Sequence, residues 1–67
     1  MSTSKIKSYR VLCGKTQEEM AALLGISVPT YRNKENGAVP FSQIEMVAFL
    51  NEVKEHKSEA TLDEIFL

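Results

Sequence analysis

Val28, Pro29, Arg32 and Asn33 recur at spacings that put all four on one face of a helix, at about 100° per residue. With the hydroxyl of Ser27 beside them, they offer two apolar groups, a guanidinium and an amide. Such groups can read base-pair edges in a major groove. Arg32 could take a guanine or a phosphate, Asn33 an adenine, and Val28 a thymine methyl. By the same count Thr30, Tyr31 and Lys34 occupy the other side, with Tyr31 anchoring the helix to the core. Any exposed short helix presents a similar face, so the reading depends on the elements that hold it.

The rest of the sequence offers little for catalysis. The adjacent carboxylates Glu18-Glu19 and Asp63-Glu64 fall in expected helix first turns, where capping and the helix dipole account for them. There is no phosphate-binding loop, no nucleophile with a base and no cluster of metal ligands. No catalytic residue, metal, cofactor or small-molecule site is therefore expected. The single cysteine, Cys13, reads as a small buried hydrophobe. The single histidine, His56, reads as a surface residue without companions at ligand spacing.

The elements that would position Arg32 and Asn33 lie between Thr16 and Gly37, in TQEEMAALLGISVPTYRNKENG. Thr16 and Glu19 make a capping box, opening a helix that runs to about Leu24 and stops at Gly25. Ser27 caps a second short helix to about Glu35, and Asn36-Gly37 stops it. Pro29 is tolerated in that helix's first turn. Two short helices joined across one glycine must cross steeply, as a helix-turn-helix. A preceding helix is predicted from about Lys5 to Cys13, ending at Gly14, with Ile6, Tyr9 and Cys13 inward and residues 1–4 loose.

With its flanking helices, this stretch resembles the helix-turn-helix of the Cro and phage-repressor family. The likeness rests on Arg10, Thr16-Gln17-Glu18-Glu19, Ala21, Leu24-Gly25-Ile26-Ser27, Tyr31 and Glu35-Asn36-Gly37, and spans roughly residues 5 to 53. It implies an all-α, lambda-repressor-like fold: a compact bundle of four to five short helices with the helix-turn-helix at helices 2 and 3. It further implies that Arg10 pairs with Glu35, tying the first helix to the third, and that Gln17 and Asn36 contact DNA. A helix C-cap is an equal reading of Asn36. Lys15 and Lys34 depart from the family pattern. Lys15 suggests a looser inner seam or a phosphate contact. Lys34, at an aromatic position, could lay its stem over apolar surface and send its ammonium to solvent or phosphate. The expected DNA-facing set is thus Gln17, Ser27, Val28, Pro29, Arg32, Asn33, Lys34 and Asn36.

Composition sets bounds on this reading. The 67 residues, 43% of them hydrophobic, suit one small helical domain over 1–67 and no deep cavity. No apolar run reaches membrane-spanning length, and the N-terminal MSTSKIKSYR lacks a signal peptide's apolar stretch. One cysteine cannot form an internal disulfide, so a reducing cytoplasm is expected, which the resemblance implies is that of a bacterium or phage-infected host. The net charge of −1 is unusual for a DNA binder. It divides unevenly, with +3 on residues 1–40 and −4 on residues 41–67, a polarity that could face the basic half to DNA.

Ser42 and Glu45 make a second capping box and open a fourth helix to about Val53 or Glu55. Its apolar pattern is too wide for one face. Ile44, Val47 and Ala48 lie roughly opposite Met46, Phe49, Leu50 and Val53. Residues 54–67 read as a turn and a short C-terminal helix, headed by a third capping box of Thr61 and Glu64. Its apolar Leu62, Ile65, Phe66 and Leu67 should fold onto the fourth helix or a second copy. The expected homodimer surface is Met46, Phe49, Leu50, Val53, Leu62, Ile65, Phe66 and Leu67. No linker follows Leu67 in the sequence, so regulation is expected in this domain, in a partner or in sequence beyond it. The leading expectation is a homodimeric repressor on a palindromic operator in double-stranded DNA. The alternative is a protein-interaction module, antitoxin-like or an anti-repressor partner, that keeps the fold with little or no DNA binding. The acidic second half favours that alternative.

Overall fold

The computed structural model describes residues 3–67, and the side chains from Lys5 onward. Five helices follow in order: α1 Thr3–Leu12, α2 Gln17–Leu24, α3 Val28–Glu35, α4 Gln43–Lys54 and α5 Leu62–Phe66. No strand occurs among the described residues. The first helix begins earlier than its apolar pattern suggests, since Thr3 and Ser4 are already helical. The expectation of a loose terminus otherwise falls on residues 1 and 2, outside the described residues.

Local chemistry sets the helix ends. Thr16 Oγ1 accepts from the Glu19 amide at 3.1 Å while Glu19 Oε1 accepts from the Thr16 amide at 2.9 Å. Ser42 and Glu45 close the same reciprocal pair at the head of α4. Gly25 takes φ 76° at the end of α2, and the Ile26 amide reaches back to Ala21 O at 3.0 Å. The chain therefore turns over residues 25–27, between the end of α2 and the start of α3. The third box forms only half. Thr61 caps the Glu64 amide at 3.2 Å, but the Glu64 carboxylate accepts from Tyr9 and Lys57 instead of reaching back.

Tyr31, Phe49, Met20, Ile65 and Val53 are fully buried at the centre. Phe41 and Phe66 pack beside them, with ring centroids 5.4 Å apart, and Phe66 lies edge-on to Phe49 at 5.6 Å. Thus α5 folds back as a lid on the bundle. Its docking decides which face of α4 is covered, and it corrects the expected homodimer surface. Phe49, Val53 and Ile65 are core residues of the single chain, and Met46, Leu50, Leu62 and Phe66 are half-buried in it. Of that set only Leu67, 89% accessible, stands out in solvent. The face left open is the other one, with Ile44 83% accessible and Val47 and Leu23 exposed beside it.

The fold also brings together residues that sequence spacing keeps apart. Cys13 is buried as expected, but it is not without companions. Its Sγ, a Glu52 carboxylate oxygen and a His56 ring nitrogen lie within 4.8 Å of one another.

Candidate nucleic-acid interface

A buried polar knot fixes the position of α3. Arg10 Nε donates to Glu35 Oε2 at 2.8 Å and Nη2 to Oε1 at 3.4 Å. The Tyr31 hydroxyl donates to Glu35 Oε2 at 2.7 Å, and Gln17 Nε2 to Oε1 at 2.8 Å. A fourth arm runs from Arg10 Nη1 to the Lys15 carbonyl at 2.9 Å. One carboxylate therefore gathers α1, the start of α2 and α3. Burial works to raise the Glu35 pKa, but the hydrogen bonds from Arg10, Tyr31 and Gln17 outweigh it and hold the carboxyl below its ordinary value. Burial above all, then the bond to Glu35, pushes the Tyr31 phenol up, so it stays a neutral donor. No buried side-chain polar atom is left without a partner among the described residues.

Outward from this knot α3 exposes Pro29, Thr30, Arg32 and Asn33, and its C-cap Asn36 is exposed beyond them. Ser27 lies at the rim, its Oγ accepting the Thr30 amide at 3.3 Å and donating to Thr30 Oγ1 at 2.8 Å. Two members of the expected set differ. Val28 is half-buried against the core cluster, because the first turn of α3 abuts the bundle. Lys34 does not send its ammonium to solvent: it donates to Glu45, and both side chains are 11% accessible. That carboxylate, held also by the Ser42 amide, is below its ordinary pKa, with the Lys34 bond as the largest cause. Angular counting puts Thr30 on the inward side, but it lies on the exposed face. A first turn capped by Ser27, with Val28 tucked inward, rotates that face toward Thr30.

Gln17 is already engaged. Its Nε2 serves Glu35, and its Oε1 accepts from Arg32 Nε at 3.0 Å. The amide thus links the buried carboxylate to an exposed guanidinium and aligns Arg32 from below. Arg32 keeps its Nη groups out of that bond.

Charge is distributed differently in space than along the chain. Three bases of the formally basic half are neutralised: Arg10 by Glu35, Lys34 by Glu45 and Lys15 by Glu52 at 3.4 Å. Two of those acids come from the acidic half, so the two halves interlock instead of facing apart. Among the described residues, no ion pair holds Lys5, Lys7 or Arg32. These are the cations of the basic half left for a polyanion; Lys54, also outside any ion pair, lies at the end of α4.

A three-residue turn between two packed helices, the second capped, polar and exposed, is the architecture of a helix-turn-helix. The comparison with known families agrees: a family model of the helix-turn-helix, of the Cro/C1 type, matches residues 6–52. The chain belongs to that family, a family of DNA-binding transcriptional regulators. No curated protein and no solved structure matches it. Among the described residues no helix is long and apolar enough to cross a membrane.

Proposed function

We propose that the protein is a repressor that binds a palindromic operator as a homodimer, in a bacterial or phage-infected cytoplasm. The observation that supports this best is the exposed face of α3 mounted on the Glu35 knot. A rigidly held helix carrying Arg32, Asn33, Thr30 and Pro29 meets the requirement that base-reading groups be positioned before contact. Asn36 and the N-terminal turn of α2 then lie to the side, where phosphates pass. Gln17 acts mainly by holding Arg32, and Lys5 and Lys7 supply non-specific attraction.

One eight-residue helix reads few base pairs, so a second copy about one duplex turn away, roughly 34 Å, raises both affinity and specificity. The homodimer reading keeps three members of the expected surface. Met46, Phe66 and Leu67 line an open apolar groove with Val39, Pro40 and Phe41. This groove adjoins the turn after α3, so a second copy seated there would set the separation of two reading helices.

A second reading, a protein-interaction module with little DNA binding, is favoured by one observation. Ile44 and Val47 are exposed on α4 while half of the basic segment's cations are paired off. The two readings separate on substitution. Arg32→Ala and Asn33→Ala each cost about 1–3 kcal/mol on a selected site and relax its preference if they read bases. Unchanged affinity in both variants would refute the reading face. Sedimentation showing a monomer well above the binding concentration would refute the homodimer.

A further inference from the structure

The one cysteine and the one histidine of the chain lie outside the reading face, yet the fold brings them together with a carboxylate. Glu52 is in the last turn of α4 and His56 one turn on, where its amide still reaches Val53 O at 2.9 Å. Both therefore project to one side of the helix. Cys13, just past the end of α1, meets them there. His56 Nε2 is 3.6 Å from Glu52 Oε2. A tetrahedral ion with bonds of about 2.0–2.3 Å keeps its ligand atoms about 3.3–3.8 Å apart. The imidazole and carboxylate already stand at that spacing. With all three ligand atoms inside 4.8 Å, the thiol has at most about 1 Å to close.

We propose that Cys13, Glu52 and His56 form a binding site for a divalent ion of the zinc type, with one coordination position open. A thiolate beside an imidazole selects borderline d-block ions, whereas magnesium and calcium require oxygen donors. The ligands stand in a cleft open to solvent, lined also by Leu23, Ala48 and Asn51, so an ion has a path in. Lys15 is the competitor. Its ammonium, 3.4 Å from Glu52 Oε2, competes with a cation for that carboxylate. A bound ion would clasp the end of α1 to the end of α4. None of its ligands belongs to α3, so this proposal and the operator reading stand or fall separately.

Cobalt titration of the full chain under reducing conditions tests the site. A thiolate-to-cobalt charge-transfer band with the visible bands of a tetrahedral ion is expected, saturating at one ion per chain and bleached by zinc. Cys13→Ser should lose the charge-transfer band. His56→Ala, at an exposed position that should not disturb folding, should weaken binding by roughly tenfold or more, since even outer-sphere partners are worth that much. Lys15→Met should tighten binding, an effect that a purely structural lysine would not produce. No charge-transfer band in either the native chain or Lys15→Met would overturn the proposal, as would a band of unchanged affinity in His56→Ala.

Discussion

Glu35→Ala should be the most damaging single substitution on the surface of α3 that faces the bundle. The carboxylate accepts from Arg10 twice, from Tyr31 and from Gln17. Its removal leaves a guanidinium in a side chain only 10% accessible. Breaking a buried pair in this way costs about 3–5 kcal/mol. The Tyr31 hydroxyl, on a residue with no accessible surface, also loses its acceptor, worth about 1–3 kcal/mol. The two losses belong to one network and do not add in full. The Lys15 carbonyl keeps one bond to Arg10 and softens the first. The net expectation is about 4 kcal/mol, against a total of roughly 3–10 kcal/mol for a chain of this length. The variant should therefore lose a large share of its stability. Glu35→Gln, which keeps an acceptor for Tyr31, should cost about 2 kcal/mol. Urea unfolding followed by far-ultraviolet circular dichroism measures both. A Glu35→Ala midpoint within about 1 kcal/mol of the native chain, as for an exposed pair, would refute the view that this carboxylate holds the helices together.

Acid should destabilise the fold through the same groups. Glu35 and Glu45 have folded pKa values below the ordinary 4.5, so their stabilisation is complete above that value and is lost as pH falls through the lowered folded ones. Urea midpoints should therefore decline below pH 4.5, and less steeply in Glu35→Gln. Phe66→Ala removes the ring that meets Phe41 and Phe49 edge-on, and should cost about 3 kcal/mol in the same unfolding assay. Gly25→Ala meets no atom within 4 Å, so its penalty is conformational alone, from φ +76°. A loss of about 1–2 kcal/mol in urea unfolding is expected, with a native circular dichroism spectrum.

Helix ends were legible in the sequence because capping is local. Thr16 with Glu19, Ser42 with Glu45 and Gly25 each act within a few residues, and the all-α helix-turn-helix architecture follows from them. Arg10 and Glu35 came with the family resemblance and not from spacing. What stayed hidden depends on how the elements dock. Both faces of α4 are apolar, and only the return of α5 selects Phe49 and Val53 as core over Ile44 and Val47. In the sequence Lys34 reads as reaching solvent or phosphate and Glu45 as a cap for Ser42; only the turn after α3 brings the two together. Thr30 departs from the angular count because a fixed angle per residue says nothing of how the helix is rolled on its support. Cys13 and His56, far apart in the chain, become neighbours only when α1 packs on α4.

Selection of bound duplexes from a random double-stranded pool, at low and moderate salt, tests the central claim most directly. The account predicts enrichment of a palindromic sequence whose half-sites lie about one duplex turn apart, with Arg32→Ala and Asn33→Ala each shifting the enriched bases. If no sequence is enriched at either salt, the reading of α3 as a base-contacting helix is contradicted.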